Sequence, residues 1–295
     1  MIVYNPKDWL SKTIYKRSLS SFVSLLPYLI ASAVVAGLTA YIELEHINLS
    51  KAVWIRHLTV VHTLLGFVLS LLLVFRTNTA YDRWWEARKQ WGTLTNVSRT
   101  LAIKMNSFLE PDDKANRSFY IKAIPLFADI LAVHLKSEQT KFMLDKSNST
   151  ELLNRLDLKK HGPNQVASMI FRNANRLYKE GKISGEQLIV LNGEFASMMD
   201  VAGSCERIKN TPIPMSYNAF IKTFIILYTL TLPIGYVYAL GYYVALAVPF
   251  IFYVLATIEM IGESIEDPFG NDLDDIPTDK LVKNIRKHTA EVITT

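Results

Sequence analysis

Few residues in this chain have the types and spacing to do chemistry. The six histidines are His46, His57, His62, His134, His161 and His288. Only His57 and His62 are close neighbours, and five positions apart on a helix leaves them off one face. A lone histidine in an apolar segment is more often a satisfied packing residue than a ligand. The single cysteine, Cys205, excludes a disulfide scaffold and a cysteine-rich zinc site. The densest acidic run is Glu266-Asp-Pro-Phe-Gly-Asn-Asp-Leu-Asp-Asp275. Asp272, Asp274 and Asp275 could offer hard oxygen ligands to Ca²⁺, but the spacing is not that of an EF-hand. The plain reading is a polar turn with Pro268 as helix breaker. There is no phosphate-cradling glycine loop, nucleophile elbow or HExxH. An enzyme reading therefore has no residue to stand on, and no cofactor is required.

Two further patterns carry physical meaning. Phe67, Leu71 and Phe75 recur at i, i+4 and i+8 and share one helix face. Thr63, Gly66 and Ser70 form a second stripe of small residues that lets helices approach closely. Both stripes suit ordinary packing. The sharper reading of the first is a hydrophobic pore constriction that gates by dewetting. Directly after it comes Phe75-Arg-Thr-Asn-Thr-Ala-Tyr-Asp-Arg-Trp-Trp-Glu-Ala-Arg, followed by Trp91-Gly92. Its plain reading is an interfacial anchor, with Arg83 pairing Asp82 and Glu86 on a helix surface.

The elements that must position these residues are mostly membrane helices. The chain has 295 residues, half of them hydrophobic, and a mean hydropathy of +0.16. Phe22 to Ile42 carries no charge, roughly the 20 apolar residues that cross a hydrocarbon core. It is too long for a signal peptide and follows a polar lead. Leu58–Phe75, Ala219–Leu240 and Gly241–Ile261 read as three more spans. Lys222 and Glu259, near their ends, could snorkel to an interface. The lead before the first span holds Lys7, Lys12, Lys16 and Arg17 against Asp8, and the middle segment is rich in Lys and Arg. Both termini and the middle segment are therefore expected in the cytoplasm. The net charge of +5 belongs to that face and not to a nucleic-acid footprint.

The expected order is a cytoplasmic segment (1–21), two spans (22–81), a cytoplasmic helical region (82–217), two spans (218–262) and a cytoplasmic tail (263–295). The fold class is all-α, integral membrane. Within the cytoplasmic region, Tyr81–Leu109 reads as helix. Pro111-Asp112-Asp113 ends it and starts another, and Ser118–Leu135 has helical apolar spacing. Leu144–Gly162 is the most loop-like stretch. Ser184-Gly-Glu-Gln187 is a capping box opening a helix to about Arg207, which must end before Thr211-Pro-Ile-Pro214.

Taken together, three stretches resemble the bestrophin family, on its bacterial side. They are Phe75–Arg88 with Trp91-Gly92, Cys205-Glu-Arg-Ile-Lys-Asn-Thr-Pro-Ile-Pro-Met-Ser-Tyr217, and Ile265-Glu-Asp-Pro-Phe-Gly-Asn-Asp-Leu-Asp-Asp-Ile-Pro277. They occur in family order over nearly the whole chain. The resemblance implies a homopentamer around one central ion pathway in a bacterial inner membrane. The second span would line it, and Phe67, Leu71 and Phe75 match the family's neck positions. A second, cytoplasmic constriction at the start of an inward-pointing helix falls on Glu186, or with a small offset on Leu188 or Ile189. A ring of Glu186 carboxylates would favour cations. The family's calcium clasp matches Asp272 and Asp275, completed by backbone carbonyls including one from the N-terminal segment. The expected function is passive conduction of monovalent cations. The alternatives are a chloride or anion channel, a secondary transporter (opposed by the missing inverted repeat and midplane charge pair), and a non-conducting scaffold.

Overall fold

The computed structural model describes residues 12–47, 53–136, 150–157 and 160–294. Every regular element among the described residues is helical. In chain order these are α1 (Lys12–Tyr41), continued by a π-helical turn (Ile42–Ile47), α2 (Val53–Phe108), α3 (Lys114–Leu135), α4 (Thr150–Leu153), α5 (Gly162–Lys179), α6 (Gly185–Asn210), α7 (Met215–Leu240), α8 (Val244–Glu266) and α9 (Thr278–Thr294). The chain divides into two compact units. Among the described residues, one holds those up to Asp82 and Pro212–Glu266; the other holds those from Arg83 to Thr211 and from Asp267 onward. We call them the membrane unit and the core unit.

In the membrane unit, α7 and α8 form a hairpin closed by the short 3₁₀ turn Gly241–Tyr243. Gly241 has φ +56°, a left-handed conformation that an L side chain rarely adopts, so the turn requires glycine. Lys222 near the start of α7 pairs with Glu263 near the end of α8 at 3.0 Å. Small residues of α1, Ala36 and Ala40, pack against Leu232, Val237, Val244 and Val248. The opening half of α2 packs Leu69 and Leu73 against Ile221 and Ile225 of α7. Gly66 lets this contact close: a Cβ there would lie 2.6 Å from the Tyr228 hydroxyl oxygen. Of the small-residue stripe, only Gly66 serves close packing. Thr63 and Ser70 are exposed and bond to carbonyls of their own helix.

α2 is 56 residues long and contributes residues to both units.

The core unit has an ordinary apolar interior. Trp91, Leu94, Leu101 and Met105 from α2 meet Tyr120, Ile124 and Phe127 from α3, with Ile170 of α5, Phe195 and Met198 of α6, and Val282 and Ile285 of α9. Lys114–Leu135 is long and apolar enough to cross a membrane, yet 61% of its apolar window is buried in this core. It is a core helix. Asp113 caps it, its carboxylate accepting the Asn116 backbone N–H at 3.2 Å. The Ser184 capping box is formed in full, and α6 ends at Asn210, just before Thr211-Pro-Ile-Pro214.

Candidate functional site

The Phe67-Leu71-Phe75 stripe lies on the side of α2 away from Leu69 and Leu73. The three side chains are 64%, 42% and 62% exposed. One residue later the face turns inward. Arg76 is fully buried and donates to Glu266 Oε2 at 2.6 Å. Glu266 in turn accepts the Ile213 backbone N–H at 2.8 Å. The carboxylate thus ties the end of α8 to α2 and to the segment that leads into α7. Glu259, expected at an interface, is instead buried, 3.8 Å from Lys222. His62 is a satisfied packing residue, bonded to Leu58 O and Thr231 Oγ1.

The Arg-Trp stretch corrects its plain reading. Arg83 donates to the carbonyl oxygens of Ile208, at 2.6 Å, and Thr211. It therefore caps the C-terminus of α6, where a cation suits the helix dipole. Glu86 pairs with Arg207 at 2.7 Å. Trp84 donates its indole N–H to the Asp274 carbonyl at 2.9 Å. Trp91 is fully buried in the core and is not an interfacial anchor. The first motif thus holds the second through Arg83 and the third through Trp84. Three stretches far apart in sequence thus meet in one bonded cluster.

Glu186 sits exposed in the first turn of α6. Ser184 Oγ donates to its Oε2 at 2.6 Å, which holds the carboxyl below its usual range. Among the other two constriction candidates, Leu188 packs partly against the core, while Ile189 is 75% exposed and three residues on from Glu186, on the same face.

In the acidic loop, Asp275 is buried and Asp272 is exposed. Asp275 Oδ2 accepts the Asp272 backbone N–H at 2.5 Å, while its Oδ1 is buried without a hydrogen-bond partner. Burial, reinforced by the Asp272 and Asp267 charges, pushes the Asp275 carboxyl up to about 6. An orphaned buried carboxylate oxygen fits a cation ligand. Lys136, Lys280 and Lys283 line the same cleft of about 500 Å³ and would compete with a cation there. The N-terminal carbonyl expected in the clasp lies outside the described residues. Burial also pushes the Cys205 thiol up to about 12, so it offers no thiolate.

A family model described as bacterial/fungal bestrophin protein matches residues 1–291. The chain belongs to the bestrophin family. Among curated bestrophin relatives, a voltage-dependent anion channel-forming protein of Synechocystis is 37% identical over 77% of this chain and 75% of its own length. Another protein of that description, from Escherichia coli K12, is 29% identical over 97% of this chain and 91% of its own. A crystal structure of a bacterial bestrophin homologue from Klebsiella pneumoniae, 23% identical, superposes with a TM-score of 0.75 over 92% of this chain and 100% of that one. At that identity the likeness concerns the fold.

One cluster escaped the sequence reading. His134, His161 and Glu206 bring their donor atoms within 4.8 Å of one another. No short spacing links them, so a search for local ligand motifs could not find them.

Proposed function

We propose that the chain is the subunit of a homopentameric ion channel in a bacterial plasma membrane, with both termini on the cytoplasmic side. The observation that carries this is the Phe67-Leu71-Phe75 stripe. It is apolar, periodic and uncovered within the subunit, on a helix whose opposite face is buried against α7. Family membership and the channel-forming descriptions of the relatives support the reading. Five such stripes around an axis make a narrow apolar neck, whose wetting sets conduction. Backbone desolvation is no obstacle, because a continuous helix satisfies its own hydrogen bonds.

For selectivity, the leading reading is monovalent cations. Glu186 is exposed, and its bond from Ser184 favours the ionised form. A ring of five carboxylates favours cations. A second reading, anion conduction, is favoured by the descriptions of the relatives and by the exposure of Ile189, which would make the constriction apolar. Asp272 and Asp275 are the residues that would hold Ca²⁺, which would supply positive charge against the buried Asp275 carboxylate.

Single-channel recording in planar bilayers under asymmetric NaCl tests this. Steps reversing near the sodium potential, with Glu186→Ala moving the reversal toward zero, are the expected result. Reversal near the chloride potential would replace the cation reading with the anion one and make Ile189 the constriction. Saturable flux without unitary steps would discard the channel.

A further inference from the structure

We propose that His134, His161 and Glu206 form a binding site for a divalent transition-metal ion of the zinc class. The site lies wholly inside the core unit, and its case is separate from the neck, the constriction and the acidic loop.

The side chains converge from three helices. His134 is in the last turn of α3, His161 is the N-cap of α5, and Glu206 lies one turn before the end of α6. The approach depends on Gly162. A Cβ at that position would lie 2.6 Å from Ile130 Cγ2, so only glycine lets α5 begin this close to α3. Ile130 and His134 are one turn apart on α3, so the same close contact delivers His161 beside His134. The two rings meet edge-on, with centroids 4.6 Å apart.

The donor geometry is that of a chelate. His161 Nε2 lies 2.7 Å from Glu206 Oε1, and His134 Nε2 lies 3.2 Å from the same oxygen. A tetrahedral zinc with bonds of about 2.0–2.1 Å separates neighbouring donors by roughly 3.3 Å. Small opening movements therefore admit the ion. Two imidazole nitrogens and one carboxylate oxygen are a donor set suited to Zn²⁺ and poorly suited to Ca²⁺ or Mg²⁺. Each of the three side chains is about one third exposed, which leaves an entry path and room for a water as fourth ligand. Lys209 Nζ donates to the His134 carbonyl at 3.1 Å, so its charge lies near the site and opposes the ion, which the Glu206 carboxylate must outweigh.

Loading carries a structural cost at one atom. His161 Nδ1 now accepts the Asn164 backbone N–H at 3.2 Å, so the ring proton is on Nε2, facing Glu206. A metal on Nε2 moves that proton to Nδ1. The cap bond to Asn164 then breaks, with no net proton released. The ion trades one helix cap for a clasp across α3, α5 and α6.

The test uses tag-free full-length protein in detergent, stripped of metal with a chelator. Zn²⁺ titration by calorimetry should show one equivalent per chain, and Zn²⁺ should raise the melting temperature. Co²⁺ should give the visible absorption of a tetrahedral site. His161→Asn keeps an N-cap residue but loses the imidazole, and should weaken binding by about 100-fold, the upper end of what loss of a supporting group alone costs. His134→Gln, which keeps a polar donor, should do the same. His288→Asn, at an exposed His–Glu pair on α9, should leave binding unchanged. Excess Ca²⁺ should not compete. A wild-type protein that takes up no zinc overturns the proposal. So does equal binding by wild type and His161→Asn with both proteins folded, and so does loss of the ion on His288→Asn alone.

Discussion

The α3 helix of the core unit buries 61% of its most apolar window, whereas the corresponding windows at the start of α2 and along α7–α8 bury 17%. All these segments pass as membrane spans by length and composition. Hydropathy reports which atoms a helix carries, and burial reports which solvent it meets. The core unit keeps Trp91, Tyr120 and Phe127 from water by packing them on each other. The membrane unit turns Leu64, Phe67, Val74 and Phe75 outward and buries Arg76 and His62 instead. In the first unit stability resides in large apolar side chains. In the second it resides in small-residue contacts and in charge pairs such as Arg76–Glu266.

The largest expected effect is on the core side of this contrast. Trp91→Ala empties a fully buried ring site at the centre of the core cluster. It should cost about 3–5 kcal/mol, seen as a lower melting temperature and early proteolysis within Arg83–Thr211. The matching change in the membrane unit is Glu266→Gln. It removes the carboxylate bonded to the buried Arg76 guanidinium and should cost about 3 kcal/mol, read from the melting temperature in detergent. A negligible loss would show that water or lipid phosphate reaches Arg76.

Trp91 also marks how far the sequence could be read. The capping box at Ser184 and the stop before Thr211-Pro-Ile-Pro214 are local, and are legible because their hydrogen bonds join residues three or four apart. The apolar stretches are legible because composition alone identifies a segment able to span. Trp91 reads wrongly as an interfacial anchor, because a tryptophan after a span has the same spacing whether it meets headgroups or a core. Arg83 reads incompletely as a surface pair, because the Ile208 and Thr211 carbonyls that it bonds come from another part of the chain. The His134, His161 and Glu206 cluster is invisible for the same reason, and requires the Gly162–Ile130 approach to form.

A smaller, pH-dependent effect belongs to the acidic loop. The Asp275 carboxyl is raised from 3.8 to about 6, first by burial. Below pH 3.8 it is protonated folded and unfolded alike, so it contributes nothing. Between 3.8 and 6 the unfolded chain releases its proton while the folded chain keeps it, and stability falls as pH rises. Above 6 the full cost is present. Asp275→Asn should therefore raise the melting temperature at pH 8 and leave it unchanged at pH 4, by an amount worth at most about 3 kcal/mol. Ca²⁺ at pH 8 should restore part of that deficit in the wild type and none in the variant. Absence of any calcium effect would reduce the loop to the polar turn that ends α8.

The smallest stability effect should come from Phe67, Leu71 and Phe75 changed together to Ala. Large truncations usually cost stability because they open cavities, and these side chains are between 42% and 64% exposed within the subunit. Removing them opens no cavity inside it, and alanine is the better helix former. Each site should change subunit stability by less than about 0.5 kcal/mol. Conduction should respond in the opposite proportion. A neck lined by alanine is wider and wets more readily, so unitary conductance or open probability should rise. The pair of measurements separates the two roles an exposed apolar stripe can have. A lost melting transition with unchanged currents would make the stripe a packing seam between subunits. An unchanged transition with larger currents would place it on the ion pathway, because only there does a side chain matter greatly to function while contributing little to the fold.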